Sequence, residues 1–501
     1  MRASVLVAEI GSTVTKVHAF ANLDTSSPAW LGSGSAPTTV SEGDVTAGLR
    51  NAIADLARAV GGDIRWDRMM AASSAAGGLR MSVHGLVIDM TVRAAREAAL
   101  GAGGIVDLVT SGEMGAAEAE ALKAARPGII LLAGGVEGGD REVIVANART
   151  IAASGIRAPV VYAGNGLARA EAVAVLEDAG LEVKVVPNVY PRLDELDVEP
   201  TRRAIQEVFE RHIVAAPGME RVRDLVAGSI LPTPGAVMES AKALQGILGD
   251  LVVIDVGGAT TDVHSVTEGS AAIARIQTYP EPAAKRTVEG DLGVYVNSAN
   301  VVRLAGLQEV GRYIQDIRGS GERGGRGGIP GGGEPEELGD LLSRLAPLPP
   351  GDMDPDMTVL VEALACLAAE TAMVRHAGRL RHLFGPTGRV TVAEGKDLTE
   401  VEWLVGTGGP LTQFPHARET LARIVGLAPG VVEARSKRSG DAAGYSSRAL
   451  GPPGHYLLPG RGVRPLLDSR YIMAVLGVLR QDYPEAADTL LRESLGGACH
   501  V

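Results

Sequence analysis

Two stretches of this 501-residue chain combine a carboxylate, glycine and hydroxyl residues in the same order. The first runs from Glu9 through Gly11, Ser12 and Thr13 to Lys16. Glycine lets backbone N–H groups approach phosphate oxygens closely, and Ser and Thr hydroxyls can donate hydrogen bonds to them. Lysine neutralises phosphate charge, and a carboxylate can hold Mg²⁺ through its water shell. The pattern predicts a phosphate-binding loop, with a polar hairpin turn as the alternative.

The second stretch begins at Asp255, which lies 246 positions (255 − 9) after Glu9 and follows the apolar segment 251–254. It continues to Asp262 with two glycines and two threonines, which are Gly257, Gly258, Thr260 and Thr261. Asp255 stands where a strand would end, so we expect it to face Mg²⁺. Asp262 either orients a water molecule or begins the next strand. A capped turn is the alternative interpretation of the whole stretch.

A third glycine-rich turn is predicted after a strand at 401–405. It contains Gly406, Gly408 and Gly409, whose backbone could pack against an adenine or ribose. A similar glycine pair at 134–135 is interpreted as an ordinary strand-end turn.

Three carboxylates outside these loops, Glu289, Asp291 and Glu113, are further candidates for orienting water or a metal ion. Other kinds of site lack their motifs. The chain contains no Walker-type Gly-x4-Gly-Lys-Ser/Thr loop, no Rossmann glycine fingerprint after a first strand and no Gly-x-Ser-x-Gly elbow. It contains neither a His-x-x-x-His pair nor an Asp-x-His-x-x-Gly cobalamin motif, so we expect neither a zinc site nor cobalamin ligated by histidine.

Hydrophobic periodicity predicts the elements that position the loops. A hairpin is predicted around each of the first two loops. In the stretch from about residue 87 to residue 191, short apolar segments alternate with helical ones. That alternation predicts an inserted α/β module with a parallel sheet. The other predicted elements are a helix at 44–60, a strand at 68–74, module strands at 128–133, 159–163 and 181–186, and helices near 141–154, 167–179, 201–213, 359–381 and 470–495.

The remaining stretch of interest, 319–355, is rich in Gly and Pro and is predicted to be a mobile loop.

Composition limits the class of protein. The chain is 46% hydrophobic and 22% charged, which is typical of a globular protein. Its net charge of −12 argues against a nucleic-acid partner. Two distant cysteines, Cys366 and Cys499, favour a reducing compartment, so a cytoplasmic location is expected. The short apolar run near the N-terminus does not suit a signal peptide, and the lack of 18 unbroken apolar residues predicts no membrane span.

Two carboxylate-headed hairpins followed by a strand and Gly-Gly resemble the actin-like ATPase superfamily. The chain is more closely similar to the glutamate mutase accessory protein L family, the MutL or GlmL type that is unrelated to the DNA mismatch-repair protein. The residues that carry this resemblance lie at 9–16, 131–139, 187–189, 232–237, 255–265, 288–293 and 406–409.

The resemblance implies an α/β, two-lobed actin-like (ribonuclease H-like) ATPase fold, with lobes at 1–245 and 246–501 and the extra α/β module in the first half. It implies ATP and Mg²⁺ as cofactors. The implied phosphate contacts are Gly11, Ser12, Thr13, Lys16, Gly257, Gly258, Thr260 and Thr261, and Gly406, Gly408 and Gly409 are implied to line the adenosine. Glu9 and Asp255 would hold the metal ion, and Asp255, Asp262 and Glu289 would be the catalytic carboxylates.

The resemblance also implies a partner, an adenosylcobalamin-dependent mutase of the glutamate mutase or aminomutase type, which ATP would help to free of damaged cofactor. One departure concerns the first loop, where the superfamily has Asp and this chain has Glu9. We therefore expect slow hydrolysis. Two alternatives stay open: a small-molecule kinase of the same superfamily, and a nucleotide-dependent scaffold that does not hydrolyse ATP.

Overall fold

The computed structural model describes residues 1–11, 13–39, 44–74, 79–212, 219–226, 230–321, 345, 353–385, 388–425, 455–460 and 462–495. Ser12 lies outside these residues, as do 322–344 and 346–352 of the stretch that is predicted to be a mobile loop.

The strands of the described chain are β1 Arg2–Ile10, β2 Val14–Ala21, β3 Ala29–Pro37, β4 Arg65–Ser73, β5 Leu79–Gly85, β6 Gly104–Ser111, β7 Ile129–Leu132, β8 Val160–Tyr162, β9 Val183–Val185, β10 Ile230–Pro232, β11 Leu251–Val256, β12 Thr261–Val266, β13 Ala284–Glu289, β14 Arg379–Gly385, β15 Gly388–Glu394, β16 Trp403–Thr407, β17 His455–Tyr456 and β18 Arg464–Leu467.

The helices are α1 Val45–Ala59, α2 Arg93–Gly101, α3 Ala116–Ala125, α4 Glu142–Ala153, α5 Arg169–Asp178, α6 Val198–His212, α7 Met219–Leu225, α8 Thr233–Leu248, α9 Ala271–Ala274, α10 Ser298–Ala305, α11 Leu307–Gly321, α12 Pro355–His376, α13 Gly409–Thr412, α14 Ala417–Val425, α15 Met473–Leu479 and α16 Pro484–Ser494. A π-helical turn, Ile88–Val92, precedes α2.

The chain folds into two compact units and returns twice to the first of them. The first unit comprises Met1–Ser240, Tyr279–Lys285 and Ala474–Leu490. The second comprises Ala241–Thr278, Arg286–Met473 and Leu491–Val501.

A five-stranded mixed sheet with the order β10-β4-β1-β2-β3 forms the base of the first unit. Strands β1, β2 and β3 form an antiparallel meander. Strands β4 and β10 extend the sheet in parallel on the other side of β1. Helix α1 packs on this sheet and buries Leu49, Ala52 and Leu56. It begins where the Asp44 carboxylate accepts a hydrogen bond from Thr46 N, which satisfies one free N–H of the first turn. The helix predicted at 44–60 is thereby confirmed.

The second unit repeats this plan with a sheet of order β13-β12-β11-β16-β18. Strands β11 and β12 are antiparallel, whereas β16 and β18 extend the sheet in parallel on the other side of β11. Both units therefore contain a sheet with the same strand order, in which the antiparallel hairpin comes first along the chain and the parallel strands follow. The α/β fold class is confirmed, and this order is that of the ribonuclease H-like fold of the actin-like ATPases. A separate three-stranded sheet, β15-β14-β17, completes the unit.

Helix α12 forms much of the core of the second unit. Asp354 caps its first turn by accepting from Met357 N at 2.9 Å, and Pro355 occupies the start of the helix. Among the described residues, this is the helix whose length and composition would suit a membrane crossing, with a mean hydropathy of 1.7. Of its most apolar window, 83% is buried inside the protein. Core helices share this composition.

The inserted module is a third sheet, in which five parallel strands follow the order β6-β5-β7-β8-β9. Both faces are covered by helices, because Ile129 and Leu131 pack with residues of α2 and α6 while Ile130 and Leu132 pack with residues of α3, α4 and α5. The predicted parallel sheet is present, but it begins at Leu79 rather than after 87.

Strands β5 and β6 are absent from the predictions for a physical reason. Each carries polar residues, among them Ser82, His84 and Thr110, that interrupt the apolar pattern. The structure satisfies them inside the sheet, because His84 Nδ1 lies 2.8 Å from the Thr110 hydroxyl and Nε2 lies 2.9 Å from the Ser82 hydroxyl. Polar residues that bond to one another across strands can be buried, although their pattern in the sequence resembles a loop.

This buried histidine makes the module sensitive to acid. Burial lowers the pKa of His84 to about 4 from 6.5. The folded form therefore disfavours the protonated ring, and stability is lost as pH falls from about 6.5 toward the folded pKa. We expect the unfolding free energy to drop by about 2 kcal/mol between pH 7 and pH 5 on this account. Urea denaturation of wild type and His84→Gln checks this, and an equal loss in both proteins would contradict it.

Two predicted elements of the second half are wrong at their ends. The helix predicted at 359–381 begins earlier and ends at His376, because Gly378 packs against the backbone of Gly395 and the chain enters β14 at Arg379. The turn predicted at 406–409 begins later, since Gly406 and Thr407 belong to β16. The helical tail is interrupted before Pro484, as predicted, and forms α15 and α16.

Candidate functional site

The first loop closes the β1–β2 hairpin of the first unit. Gly11 N donates to Val14 O at 3.0 Å. A Cβ on Gly11 would lie 2.6 Å from Val14 O, so a larger residue would push the loop open. Thr13 is half-buried, and its carbonyl accepts from Thr38 N at 2.9 Å. The loop is thereby tied to the end of β3.

Glu9 and Lys16 are directly opposed in this hairpin. Opposed residues of antiparallel strands share a face of the sheet, so a carboxylate and an ammonium group stand side by side below the loop. Glu9 is buried and Lys16 half-buried. Burial, and secondarily the Lys16 charge, lowers the pKa of the neighbouring His18 to about 3, so this ring is neutral at physiological pH.

The second loop closes the β11–β12 hairpin in the same way. Gly257 N donates to Thr260 O at 2.8 Å, and a Cβ on Gly257 would lie 3.0 Å from that oxygen. The Gly258 carbonyl accepts from Tyr295 N at 3.0 Å and from Val296 N at 2.9 Å. The loop therefore rests on the segment that follows β13.

Further bonds from that segment hold the loop on its other side. Asn297 Nδ2 donates to Ala259 O and to Gly290 O, each at 2.8 Å. The Thr261 hydroxyl donates to Leu292 O at 2.7 Å and is fully buried. Thr261, predicted to contact phosphate, is thus committed to holding the loop, whereas the half-buried Thr260 remains at its surface.

Asp255 and Gly408 meet at the ends of β11 and β16. Gly408 has φ +90°, and a Cβ there would lie 2.2 Å from Val256 O and 2.6 Å from Asp255 Oδ1. Gly409, the first residue of α13, has open space around its Cβ direction. The structure thus brings the Asp255 carboxylate, the second loop and the Gly408–Gly409 turn together within one unit. Gly406 is set apart from them, since it is buried in β16 against Leu421.

Asp262 is the second residue of β12. Of the two interpretations given for this residue, the structure agrees with the one in which it begins the strand after the loop. It is buried, and its Oδ1 accepts from the fully buried Arg286 Nη2 at 2.7 Å. Burial raises the pKa of Asp262, and the Arg286 charge opposes the rise. Because Asp262 forms a buried ion pair with Arg286, we infer that it stabilises the strand next to the loop.

Glu289 lies at the end of β13, where Arg375 bridges it to Asp291. Arg375 Nη1 donates to Glu289 Oε2 at 2.7 Å and to Asp291 Oδ1 at 2.8 Å. Burial raises the pKa of Glu289, and the bond from Arg375 opposes the rise. Glu113, the other candidate, is exposed after β6 in the module. A catalytic role for Glu289 stays a prediction.

Asp468 is a functional candidate that sequence reasoning missed. It is fully buried after β18 and accepts from the Thr407 hydroxyl at 3.0 Å and the Ser494 hydroxyl at 3.1 Å. It also accepts from the backbone N–H groups of Ile472 and Met473, at 3.1 and 3.0 Å. Thr407 directly precedes Gly408, so Asp468 positions the glycine turn. An aspartate between an apolar strand and a helix start was the available signal.

Asp468→Asn tests this positioning. The amide nitrogen cannot accept the hydrogen bonds that the carboxylate accepts, so we expect the unfolding free energy to fall by about 2 kcal/mol. Urea denaturation measures it. Asp316→Asn is the control, because Asp316 forms an exposed pair with Arg423 in the same unit and should cost less than about 0.5 kcal/mol. Equal stability of the two variants would contradict the assignment.

The residues present suit Mg²⁺ delivered with a nucleotide. Among the described residues, no three His, Cys, Asp or Glu side chains are grouped so that they could hold a metal ion themselves. Mg²⁺ is usually bound by one or two carboxylates together with water and substrate phosphates. Asp255 fits that chemistry, because it borders a turn and a loop where glycines leave the backbone uncovered and a Cβ would fill the space.

Comparison with known proteins adds to this geometry. The model of the MutL protein family matches residues 5–495. A curated relative, Protein MutL of Clostridium tetanomorphum, is 33% identical over 499 residues, which are 98% of this chain and 98% of that protein.

Two solved structures align at low similarity. Diol dehydratase-reactivating factor in nucleotide-free form has 13% identity and a TM-score of 0.31, over 96% of this chain and all of that one. Glycerol dehydratase reactivase has 12% identity and a TM-score of 0.29, over 94% of this chain and 99% of that one. At these TM-scores, the fold assignment rests on the strand order of the two sheets and not on the alignments.

Proposed function

This chain belongs to the MutL protein family, and we propose that it is an ATP-binding, chaperone-like accessory protein that maintains or reactivates an adenosylcobalamin-dependent mutase. The observation that carries the nucleotide part is the recurrence of one loop geometry in both units. Each loop follows the first strand of an identically ordered sheet, and each begins with a carboxylate two residues before a glycine that bonds to the carbonyl three residues on.

The proposed roles follow from the chemistry of each side chain and its place in the two loops. Lys16 and the loop N–H groups bind phosphate oxygens, assisted by the Thr13 and Thr260 hydroxyls. Asp255 would hold Mg²⁺, which neutralises charge on the phosphates when it is bound, and Glu9 is the carboxylate at the same position of the first loop. Gly409, with open space above it, lies against the adenosine.

One observation favours the non-hydrolysing scaffold as a second candidate. Asp262 and Glu289, two of the three carboxylates predicted to be catalytic, each accept a charged hydrogen bond from a buried or half-buried arginine. A carboxylate held in this way is poorly placed to activate a water molecule. Together with Glu9 in place of Asp, this supports a scaffold that binds ATP as a conformational ligand without hydrolysing it.

The test is ATP hydrolysis by the purified protein with Mg²⁺, with and without a mutase inactivated through its cobalamin. We expect slow basal phosphate release that changes when the inactivated mutase is added, and ATP-dependent recovery of mutase activity. Asp255→Ala should lose both effects, whereas Asp316→Ala, a surface variant in the same unit, should keep them. ATP binding without recovery and without partner-sensitive release would favour the scaffold or the kinase.

A further inference from the structure

The inserted module ends in an edge that the proposed ATP site does not use. All five strands run parallel, so their carboxyl ends meet along one side, which we call the carboxyl edge and define by the loops 85–90, 111–115, 133–141, 163–169 and 186–195. The strand order reverses at β5, because the chain passes first to β6 on one side and then to β7 on the other. Parallel α/β sheets bind their ligands at the carboxyl ends beside such a reversal.

Buried asparagines give these loops a defined shape. Asn147, on α4, accepts from Met114 N at 2.8 Å and donates to Gly112 O at 3.0 Å, which ties down the loop after β6. Asn188 donates to Gly135 O at 2.9 Å and accepts from Tyr190 N at 3.0 Å. These bonds connect the loops after β7 and β9.

Asn165, fully buried after β8, completes the bracing. Its Nδ2 donates to Gly139 O at 3.1 Å and to Asp140 O at 3.0 Å, and its Oδ1 accepts from Leu167 N at 3.0 Å. Burying an amide is costly unless its hydrogen bonds are made. Three such side chains at one edge fix loops that would otherwise sample many conformations, and preordered loops lower the entropy cost of binding.

The same edge exposes large apolar side chains. Val87 and Ile88 are 40% and 53% exposed after β5, Leu167 is 64% exposed after β8, and Leu193 is 69% exposed after β9. Single exposed apolar residues are ordinary on a protein surface. Four of them on loops that end at one edge of one sheet mark a surface that is covered when a partner binds.

The charge of the carboxyl edge indicates which kind of partner would bind there. The edge loops contain six carboxylates and three arginines, a net charge of 3 − 6 = −3; the residues are Asp89, Glu113, Glu137, Asp140, Asp194 and Glu195 with Arg141, Arg169 and Arg192. A second copy of this chain would bring the same negative edge against itself, and an anionic membrane would also be repelled. An apolar, acidic edge is complementary to an apolar segment rich in Lys and Arg.

We propose that the carboxyl edge of the module is the surface that binds the mutase, through an apolar, cationic segment of that enzyme. The assignment rests on the proposed function, since that function supplies the mutase as the partner. In this assignment the two hairpin loops bind the nucleotide, and the module recognises the partner.

The experiment measures binding of the full chain to the intact mutase. Ile88→Asp with Leu167→Asp should weaken binding at least about tenfold, because each places a charge on an apolar contact. Leu307→Asp is the matched control: this residue is 41% exposed on α11 of the second unit and should leave affinity unchanged. ATP affinity and thermal stability should be equal in all of these proteins, which excludes misfolding as the cause.

Two further measurements address charge. Glu113→Lys should weaken binding, and raising the ionic strength should weaken binding of the unmodified chain. Unchanged affinity of the Ile88/Leu167 variant, with mutase bound by wild type, would overturn the assignment but leave the proposed function standing. Failure of the unmodified chain to bind any adenosylcobalamin-dependent mutase would overturn both. Self-association of the wild type that Ile88→Asp abolishes would identify a second copy as the occupant and overturn the assignment.

Discussion

Replacing Asp255 by Asn is expected to reduce Mg²⁺-dependent ATP hydrolysis at least about a hundredfold while the protein stays folded. Asp255 is half-buried near the end of β11, beside Gly408 and the second loop, which is where we propose that its carboxylate holds Mg²⁺. The amide keeps the shape of the side chain and removes its charge. Phosphate release at saturating ATP, measured across Mg²⁺ concentrations, provides the test.

Asp262→Asn is the informative contrast, because this carboxylate is seven residues away and opposite Asp255 in the hairpin. It pairs with the fully buried Arg286, and removing one partner leaves a buried charge uncompensated. We expect Asp262→Asn to lower the unfolding free energy by about 3 kcal/mol or more. If instead Asp255→Asn unfolded the protein and Asp262→Asn only slowed hydrolysis, the roles assigned to the two carboxylates would be reversed.

Gly408→Ala should abolish nucleotide binding and destabilise the second unit by about 3 kcal/mol or more. Its backbone, with φ +90° and ψ 148°, lies in a region that L-residues rarely adopt. The added methyl would also meet Val256 O at 2.2 Å and the Asp255 carboxylate at 2.6 Å. Both effects displace the strand ends that carry the candidate metal ligand.

Gly409→Ala is the matched control for folding, because no atom beyond the adjacent residues lies within 4 Å of its Cβ direction and Gly409, unlike Gly408, does not have a positive φ. Its stability should equal that of wild type within about 0.5 kcal/mol. Its ATP affinity should fall, since the methyl would enter the space proposed for adenosine. Thermal denaturation and equilibrium nucleotide binding separate the two effects, and unchanged ATP affinity in Gly409→Ala would remove this turn from the site.

Much of the candidate site could be predicted because its signals are local. The apolar runs of β1 and β11, the carboxylate near the end of each strand and the glycine two residues later all fall within eight consecutive positions. Hairpins join neighbouring segments, so their partners are known from the sequence. The same locality explains why the helix at 44–60 is predicted from its own residues. The resemblance to the MutL family is confirmed by the match of the family model to residues 5–495.

Only the folded chain shows which partners hold three of the carboxylates. Asp262 meets Arg286 across 24 positions, Glu289 meets Arg375 across 86, and Asp468 meets Thr407 across 61. No periodicity within a window of sequence encodes such partners, because they depend on which strands become neighbours. Strands β5 and β6 were not predicted for the same reason, because their polar residues can be buried only when the fold brings their hydrogen-bond partners together.

Patterns in the sequence were sufficient to predict the α/β class of fold, the family and the two hairpins, since each of their signals lies within a short stretch of the chain. The tertiary structure decided that Thr261 and Asp262 hold the second loop from below, that Asp468 supports the glycine turn, and that the module presents a braced, apolar edge. Each of these depends on side chains that are brought together only when the sheets form, and whose burial makes every unpaired polar atom costly.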